Sequence, residues 1–339
     1  MKYLITGGAG FIGSNFIHYL FEKYQDAEVI NLDKLTYAGN LENLKKFENN
    51  PRYKFVKGDI ADPEIVNRII SEDRPDYIVN FAAESHVDRS IQDPSEFIRT
   101  NVLGTQVLLA AARKGVKRFH HVSTDEVYGS IPLNEDRKWT EKSPYDPRSP
   151  YSASKAASDH LVRAYWNTYG LPVTISNCAN NVGPYMYPEK LIPLAITNLL
   201  EGKNVPIYGR GEQIREWLHV QDHCSAIDLI LTSGKSGETY FVGPKDEKHF
   251  TNIEVIQRLL KVMNLKEDQI DFVPDRRGHD QKYALDISKI RKELGWLPKY
   301  SLDNTLEQTL AWYQANEGWW QKIKNSKEYK NYYEKQYAH

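Results

Sequence analysis

Cysteine is nearly missing from this chain of 339 residues. Cys178 and Cys224 are the only two, too few for a disulfide framework. No sign of charge dominates either: 44 Lys and Arg stand against 45 Asp and Glu, a formal net charge of −1. No global field therefore draws the chain to nucleic acid or to an anionic membrane, and an anionic ligand must be met by a local site. No uninterrupted apolar run is long enough to span a bilayer. Glycine arrives at position 7, too early for a secretory leader, so the expected location is the cytoplasm. Internal repeats are lacking. Histidines such as His86, His120 and His121 lack the paired spacing of a metal site, so no metal is expected.

What the chain does have is alternation. Lys2 to Thr6 reads as a strand, followed by Gly7-Gly8-Ala9-Gly10-Phe11-Ile12-Gly13 and an amphipathic run from Ser14 to Tyr24. Glycines at 7, 10 and 13 free the backbone to turn tightly, approach a pyrophosphate and pack a helix on a sheet, with the helix N-terminus facing the phosphates. Alone, such a turn is weak evidence, and a plain tight turn reads equally well. A second strand, Glu28 to Leu32, ends in Asp33, twenty residues past Gly13. A carboxylate there accepts from both ribose hydroxyls and repels a 2'-phosphate, favouring NAD over NADP, with Lys34 beside it as the one contrary charge.

Strand signals recur at Tyr53 to Val56, Tyr77 to Phe81 and Val116 to Ser123, with helices expected at 63–71 and 94–113. Five strands alternating with helices predict an α/β fold with a doubly wound parallel sheet of Rossmann type. Its carboxyl-end loops place Gly7 to Gly13, Asp33, Asp59, Ala82 to Asp88 and Thr124 to Glu126 around one cleft. Two carboxylates beside a hydroxyl at a strand end, Thr124-Asp125-Glu126, signal chemistry or a cap rather than packing. Both carboxylates can reach one ligand only if the backbone leaves the strand at Thr124, because neighbours in a strand point to opposite faces.

After a proline-rich loop, Tyr151-Ser152-Ala153-Ser154-Lys155 opens a helix expected to reach Tyr169. Four residues of separation put Tyr151 and Lys155 on one helix face. A nearby ammonium stabilises phenolate and makes tyrosine a usable base, although by themselves the two could be a surface pair.

From 177 onward, short strands, loops and separated helices predict a smaller C-terminal α/β substrate-binding domain. Residues 1–176, with a return segment at about 217–243, form the first domain; 177–216 and 244–339 form the second. Asn177 to Pro184 reads as turn chemistry or backbone capping. Thr251-Asn252-Ile253-Glu254 is a capping box. Pro274 to Asp280 is a basic loop that could hold a diphosphate or simply be a solvated turn. The tail from Trp312 interleaves tyrosines and tryptophans with glutamates, favouring a docked helix over a nucleic-acid patch.

Taken together, these motifs resemble the extended short-chain dehydrogenase/reductase family, through Gly7 to Gly13 and Tyr151 to Lys155. Within it, the chain is most similar to the dTDP-glucose 4,6-dehydratases. That similarity rests on 33–40, 82–88, 124–129, 188–193, 215–218 and 278–280, and leaves out only the last twenty or so residues. The resemblance implies a bound NAD that is reduced and reoxidised within one turnover. Tyr151 would take the proton of the sugar 4-hydroxyl, with Lys155 keeping it ionised and orienting the ribose. Glu126 would remove the C5 proton, Asp125 would protonate the departing 6-hydroxyl, and Thr124 would bond near the 4-oxygen. The product would be a 4-keto-6-deoxy sugar.

Cofactor contacts implied by the resemblance are Gly7, Gly10, Phe11, Ile12, Gly13, Asp33, Lys34, Thr36, Ala38, Gly39, Asp59, Ile60, Ala82, Ala83, Glu84, Asn101, Ser123, Tyr151, Lys155 and Asn177. Substrate contacts are Ser85, His86, Thr124, Asn180, Lys190, Leu191, Pro206, Tyr208, Arg215, Asn252, Arg276, His279 and Tyr283. Two positions depart from the family pattern: Val182 replaces a tyrosine, and Arg277 replaces a proline beside the diphosphate loop. The partners implied are dTDP-glucose and a second copy of the chain, joined through helices near 94–113 and 151–169. The alternatives are a nucleotide-sugar 4-epimerase, a dehydratase of UDP- or CDP-glucose, and a non-catalytic NAD-sensing regulator. The Asp125–Glu126 pair argues against the epimerase, and Tyr151 with Lys155 against the regulator.

Overall fold

The computed structural model describes residues 1–246, 248–275 and 278–337. Six strands in chain order, β1 (Lys2–Thr6), β2 (Glu28–Asp33), β3 (Tyr53–Lys57), β4 (Tyr77–Asn80), β5 (Arg118–Thr124) and β6 (Val173–Cys178), join Thr239–Val242 in one parallel sheet. Across the sheet the order is Thr239–Val242, β6, β5, β4, β1, β2, β3. The winding direction reverses between β1 and β4, which opens a crevice at their carboxyl ends. The strands β1, β2, β5 and β6 are buried on both faces, as a sheet covered on both sides by helices requires. One apolar layer gathers Leu4, Ile78, Leu108 and Phe119; the opposite layer gathers Ile5, Phe16, Val79 and Ile227.

Local sequence explains most helix boundaries. Asp62 caps the Pro63–Asp73 helix by accepting from the Glu64 and Ile65 amides, with proline at the first helical position. Ser149 and Ser152 form a capping box at the head of Pro150–Tyr169, and left-handed Gly170 closes that helix. The expected capping box at Thr251 and Glu254 opens Asn252–Val262.

Four expectations need correction. The helix expected over 94–113 is a short Ser95–Phe97 turn, a π-helical segment Ile98–Gly104 and an α-helix Thr105–Ala112. A separate helix, Val87–Gln92, precedes it and was not anticipated. The strand expected from Val116 begins at Arg118, since the preceding Gly115 takes φ 122°. Asn180–Val182, expected as a turn, is a strand paired in parallel with Trp217–His219.

A second core lies among the later elements, where Ile196, Val205, Trp217, Leu259, Tyr313 and Trp320 pack together. The tail docks on this body as three helices, Leu302–Ala315, Glu317–Lys324 and Lys327–Tyr337. Among the described residues no helix is long and apolar enough to cross a membrane.

Candidate active site

A cleft of about 440 Å³ lies over the carboxyl ends of β1, β4 and β5 and is walled on its far side by the later elements. The glycine turn forms its floor. Gly7 has φ 67°, and a Cβ there would stand 2.7 Å from the backbone of Ala82. At Gly13 a Cβ would stand 2.4 Å from the Gly7 carbonyl oxygen. The turn leads directly into the Phe11–Lys23 helix, giving a backbone cradle for phosphates. Asp33 ends β2 and is buried; its Oδ2 accepts from the Ala9 amide at 2.9 Å and its Oδ1 from the Leu35 amide at 2.8 Å. Burial pushes its carboxyl up while the two amides hold it down. Lys34 Nζ pairs with Asp59 at 3.1 Å and Glu96 at 3.6 Å. That pairing removes the one charge that could have favoured a 2'-phosphate, so the cradle and Asp33 fit NAD.

At Thr124 the chain leaves β5 and turns into a single 3-10 turn, Asp125–Tyr128. The Thr124 hydroxyl caps it, accepting from the Glu126 amide at 3.3 Å. That departure from the strand lets Asp125 and Glu126 both line the cleft. Asp125 is buried, its Oδ1 accepts from the Thr124 hydroxyl at 3.2 Å, and its Oδ2 has no hydrogen-bond partner. Burial first, then the charges of Glu126 and Glu216, push its carboxyl well above the ordinary carboxylate range. Burial thus favours the protonated form of Asp125 beside Glu126.

Tyr151 and Lys155 enter from the Pro150–Tyr169 helix, both almost fully buried. Tyr151 and Thr124 both line the cleft, and burial and the Glu126 charge push the phenol upward. Lys155 Nζ donates to the Val122 carbonyl at 2.7 Å. The lysine is thus aimed at the end of β5 rather than at the tyrosine hydroxyl. Burial lowers its ammonium to about 8.

Nearly all expected contact residues line this cleft. Asn101 and Asn177 do not. Asn101 lies behind the wall in the π-helical segment, where its side chain accepts from the Glu84 amide and donates to the Glu84 carbonyl, both at 2.9 Å. Asn177 faces inward on β6 and donates to the Thr124 carbonyl at 3.0 Å and to Asp159 at 3.1 Å. Each shapes a loop that lines the site. Arg276, with Arg277, lies outside the described residues. Its neighbour His279 does line the cleft, paired with Asp275 at 2.7 Å. Arg215 Nη2 donates to the Asp280 carbonyl at 2.8 Å, and its guanidinium lies over the Tyr283 ring at 4.3 Å.

Sequence reasoning missed Tyr37, Cys178 and Glu189. All three line the cleft. The Tyr37 hydroxyl donates to Glu189 Oε1 at 2.9 Å, and burial raises the Glu189 carboxyl to about 7. Both sit inside stretches already singled out, Asp33 to Asn40 and Pro188 to Pro193, so their position was readable although their pairing was not.

Comparison with known proteins fits this geometry. A model of the family described as GDP-mannose 4,6 dehydratase matches residues 4–309. A dTDP-glucose 4,6-dehydratase of Xanthomonas campestris pv. campestris is 52% identical, over 95% of this chain and 95% of its own length. The chain belongs to the dTDP-glucose 4,6-dehydratase family. Among solved structures, the dTDP-glucose 4,6-dehydratase DesIV from Streptomyces venezuelae, with NAD and TYD bound, superposes with a TM-score of 0.91 at 51% identity, covering 95% of this chain and all of that one. A UDP-glucose 4-epimerase from Thermotoga maritima, with UDP-glucose, gives a TM-score of 0.86 at 31% identity, covering 94% of this chain and all of its own. The scaffold is thus shared with epimerases, while sequence similarity is much greater to the dehydratases.

Proposed function

We propose that this chain converts dTDP-glucose to dTDP-4-keto-6-deoxyglucose with a tightly bound NAD, removing water across C5 and C6. The observation that carries the reading is the pair at the end of β5: a buried Asp125, whose carboxyl burial pushes upward, next to Glu126, both lining the cleft with Tyr151. Bound NAD supplies the redox partner, first for C4 and later for C6. Gly7, Gly10 and Gly13 would hold its phosphates, and Asp33 its ribose. Tyr151 takes the proton of the 4-hydroxyl, and Thr124 bonds the same oxygen. A carbonyl at C4 acidifies the C5 proton, which Glu126 removes. Asp125 delivers its proton to the departing 6-hydroxyl, a role that needs the carboxyl protonated near neutral pH. Arg215, His279 and Lys190, which line the cleft, would meet the diphosphate, with Arg276 assigned there by resemblance.

A 4-epimerase would use Tyr151 and Lys155 but has no proton at C5 and no leaving group at C6 to manage. Asp125 and Glu126 therefore support the dehydratase over the epimerase. The chain divides into an NAD-binding part, 1–176 with 217–243, and a substrate part. In support, Thr239–Val242 pairs with β6 in the main sheet. A homodimer through 94–113 and 151–169 is supported by the exposed apolar side chains of Ile98, Leu103 and Tyr169 on those segments. A cytoplasmic location goes with this reading.

Purified protein incubated with dTDP-glucose should give a product with the alkaline absorbance of a 4-keto-6-deoxy sugar, without added NAD. Recovery of dTDP-galactose, or of unchanged substrate, would refute the dehydratase. Running dTDP-, UDP- and CDP-glucose side by side fixes the base.

A further inference from the structure

Asp159 stands one helical turn beyond Lys155, as Lys155 stands one turn beyond Tyr151, so the three share one face of the Pro150–Tyr169 helix. It is fully buried. Three donors converge on its Oδ2: the Tyr145 hydroxyl at 2.8 Å, the Ser123 hydroxyl at 3.0 Å and Asn177 Nδ2 at 3.1 Å. Burial raises the Asp159 carboxyl, and Lys155 together with these three donors opposes that rise by favouring the ionised form. Oδ1 makes no hydrogen bond and faces His121 Nε2 at 3.5 Å. Lys155 Nζ lies 3.3 Å from that same nitrogen. Carboxylate and ammonium therefore both approach the same ring nitrogen.

The imidazole carries no charge of its own, because burial and Lys155 lower His121 well below its ordinary range. Its tautomer follows from a chain of hydrogen bonds. The Thr6 hydroxyl donates to Asn80 Oδ1 at 2.6 Å, which turns the amide nitrogen of Asn80 toward His121 Nδ1 at 3.2 Å. The ring proton is then on Nε2 and is accepted by the Ser158 Oγ at 3.1 Å, whose own hydroxyl donates to the Lys155 carbonyl at 2.7 Å, so Nε2 has no lone pair to offer Lys155. Other titratable groups facing this pocket are Cys178 from β6, a thiol that burial raises to about 12, and Tyr151, whose phenol burial pushes upward. On the far side of Asp159, Arg163 Nη2 donates to the Tyr145 hydroxyl at 2.9 Å. Burial disfavours the Lys155 ammonium, and Asp159 is the first group opposing that loss.

We propose that Asp159 is the buried counter-charge of Lys155, a positioning residue that keeps the ammonium protonated and aimed at the Val122 carbonyl. The kinetic consequence rests on the proposed role of Tyr151 and Lys155; the effect on folding does not. Removing the charge lowers the folded-state pKa of Lys155 further, on the order of one to two pH units for a charge at this range. The sign follows from linkage. The stability lost in Asp159→Asn is full at low pH, where Lys155 is charged in the folded protein. It fades as pH rises through about 8, where the wild-type ammonium itself discharges.

The test measures denaturant unfolding of holoenzyme from about pH 6 to about pH 10 for wild type, Asp159→Asn, Lys155→Met and the double variant, bracketing the lysine titration. The expected result is a deficit in Asp159→Asn that shrinks with rising pH and is largely lost when Lys155 is already Met. A deficit that is independent of pH and survives in the Lys155→Met background overturns the proposal. In the kinetic arm, the alkaline limb of NADH formation should move to lower pH in Asp159→Asn and return in Asp159→Glu; an unmoved limb also counts against it. If wild type fails to turn over dTDP-glucose, the functional reading falls while the unfolding arm still decides this one.

Discussion

Asp125 and Glu126 carry the same functional group and follow one another in sequence, yet the fold separates their chemistry. Asp125 is fully enclosed with one oxygen unpartnered, and burial pushes its carboxyl upward. Glu126 is half-buried in the cleft wall and contributes the negative charge that raises both Asp125 and Tyr151. In the proposed reaction, position alone would make one a general acid and the other a general base. The order of steps can be read by stopping the reaction. Glu126→Gln should still oxidise C4 and accumulate reduced cofactor, seen as absorbance that does not decay, because its block falls at the C5 proton. Tyr151→Phe should fail before that absorbance appears, with a loss of about 10²–10⁴-fold expected for removal of a general base. Equal and complete loss of the absorbance in both variants would contradict the assignment.

At the scale of elements, the glycine turn and the end of β5 make the site, and both were legible. The spacing of Gly7, Gly10, Gly13 and Asp33 encodes a turn that has no room for side chains. The need for both carboxylates to reach one ligand foretold the break at Thr124. Other features depend on partners far along the chain. Asn180–Val182 is a strand because Trp217–His219 lies beside it, and three asparagine-rich residues do not announce a strand by themselves. The burial of Asn101 and Asn177 behind the cleft wall, and the pairing of Tyr37 with Glu189, likewise come from tertiary packing. Gly7→Ala tests the turn. A Cβ there meets the Ala82 backbone at 2.7 Å in a left-handed conformation, costing about 1–2 kcal/mol for backbone alone. The variant should lose bound NAD on purification and melt at a lower temperature; retention of full NAD content would show that the turn has slack.

Across the whole molecule, the cleft is bounded by segments far apart in sequence, and the tail bridges them. The Lys327–Tyr337 helix reaches loops on both sides. Toward the sheet, the Tyr332 hydroxyl bonds His86 Nε2 at 3.2 Å, and Glu328 pairs with Arg89 at 3.6 Å. Toward the later elements, the Tyr329 hydroxyl donates to the Pro188 carbonyl at 2.7 Å, and Gln336 Nε2 donates to the Tyr208 hydroxyl at 2.6 Å. His86 and Tyr208 both line the cleft. A helix outside the cleft therefore fixes two side chains that line it, and its effect should appear in binding rather than in the chemical steps. Each hydrogen bond of this kind contributes about 0.5–1.5 kcal/mol, so Gln336→Ala should raise KM for dTDP-glucose roughly two- to tenfold with kcat kept. Tyr332→Phe, which keeps the ring and removes the bond to His86, should act in the same direction. Steady-state kinetics with unchanged KM in both variants would mean that the helix only covers the body, whereas an equal fall in kcat would place its influence on the chemistry itself.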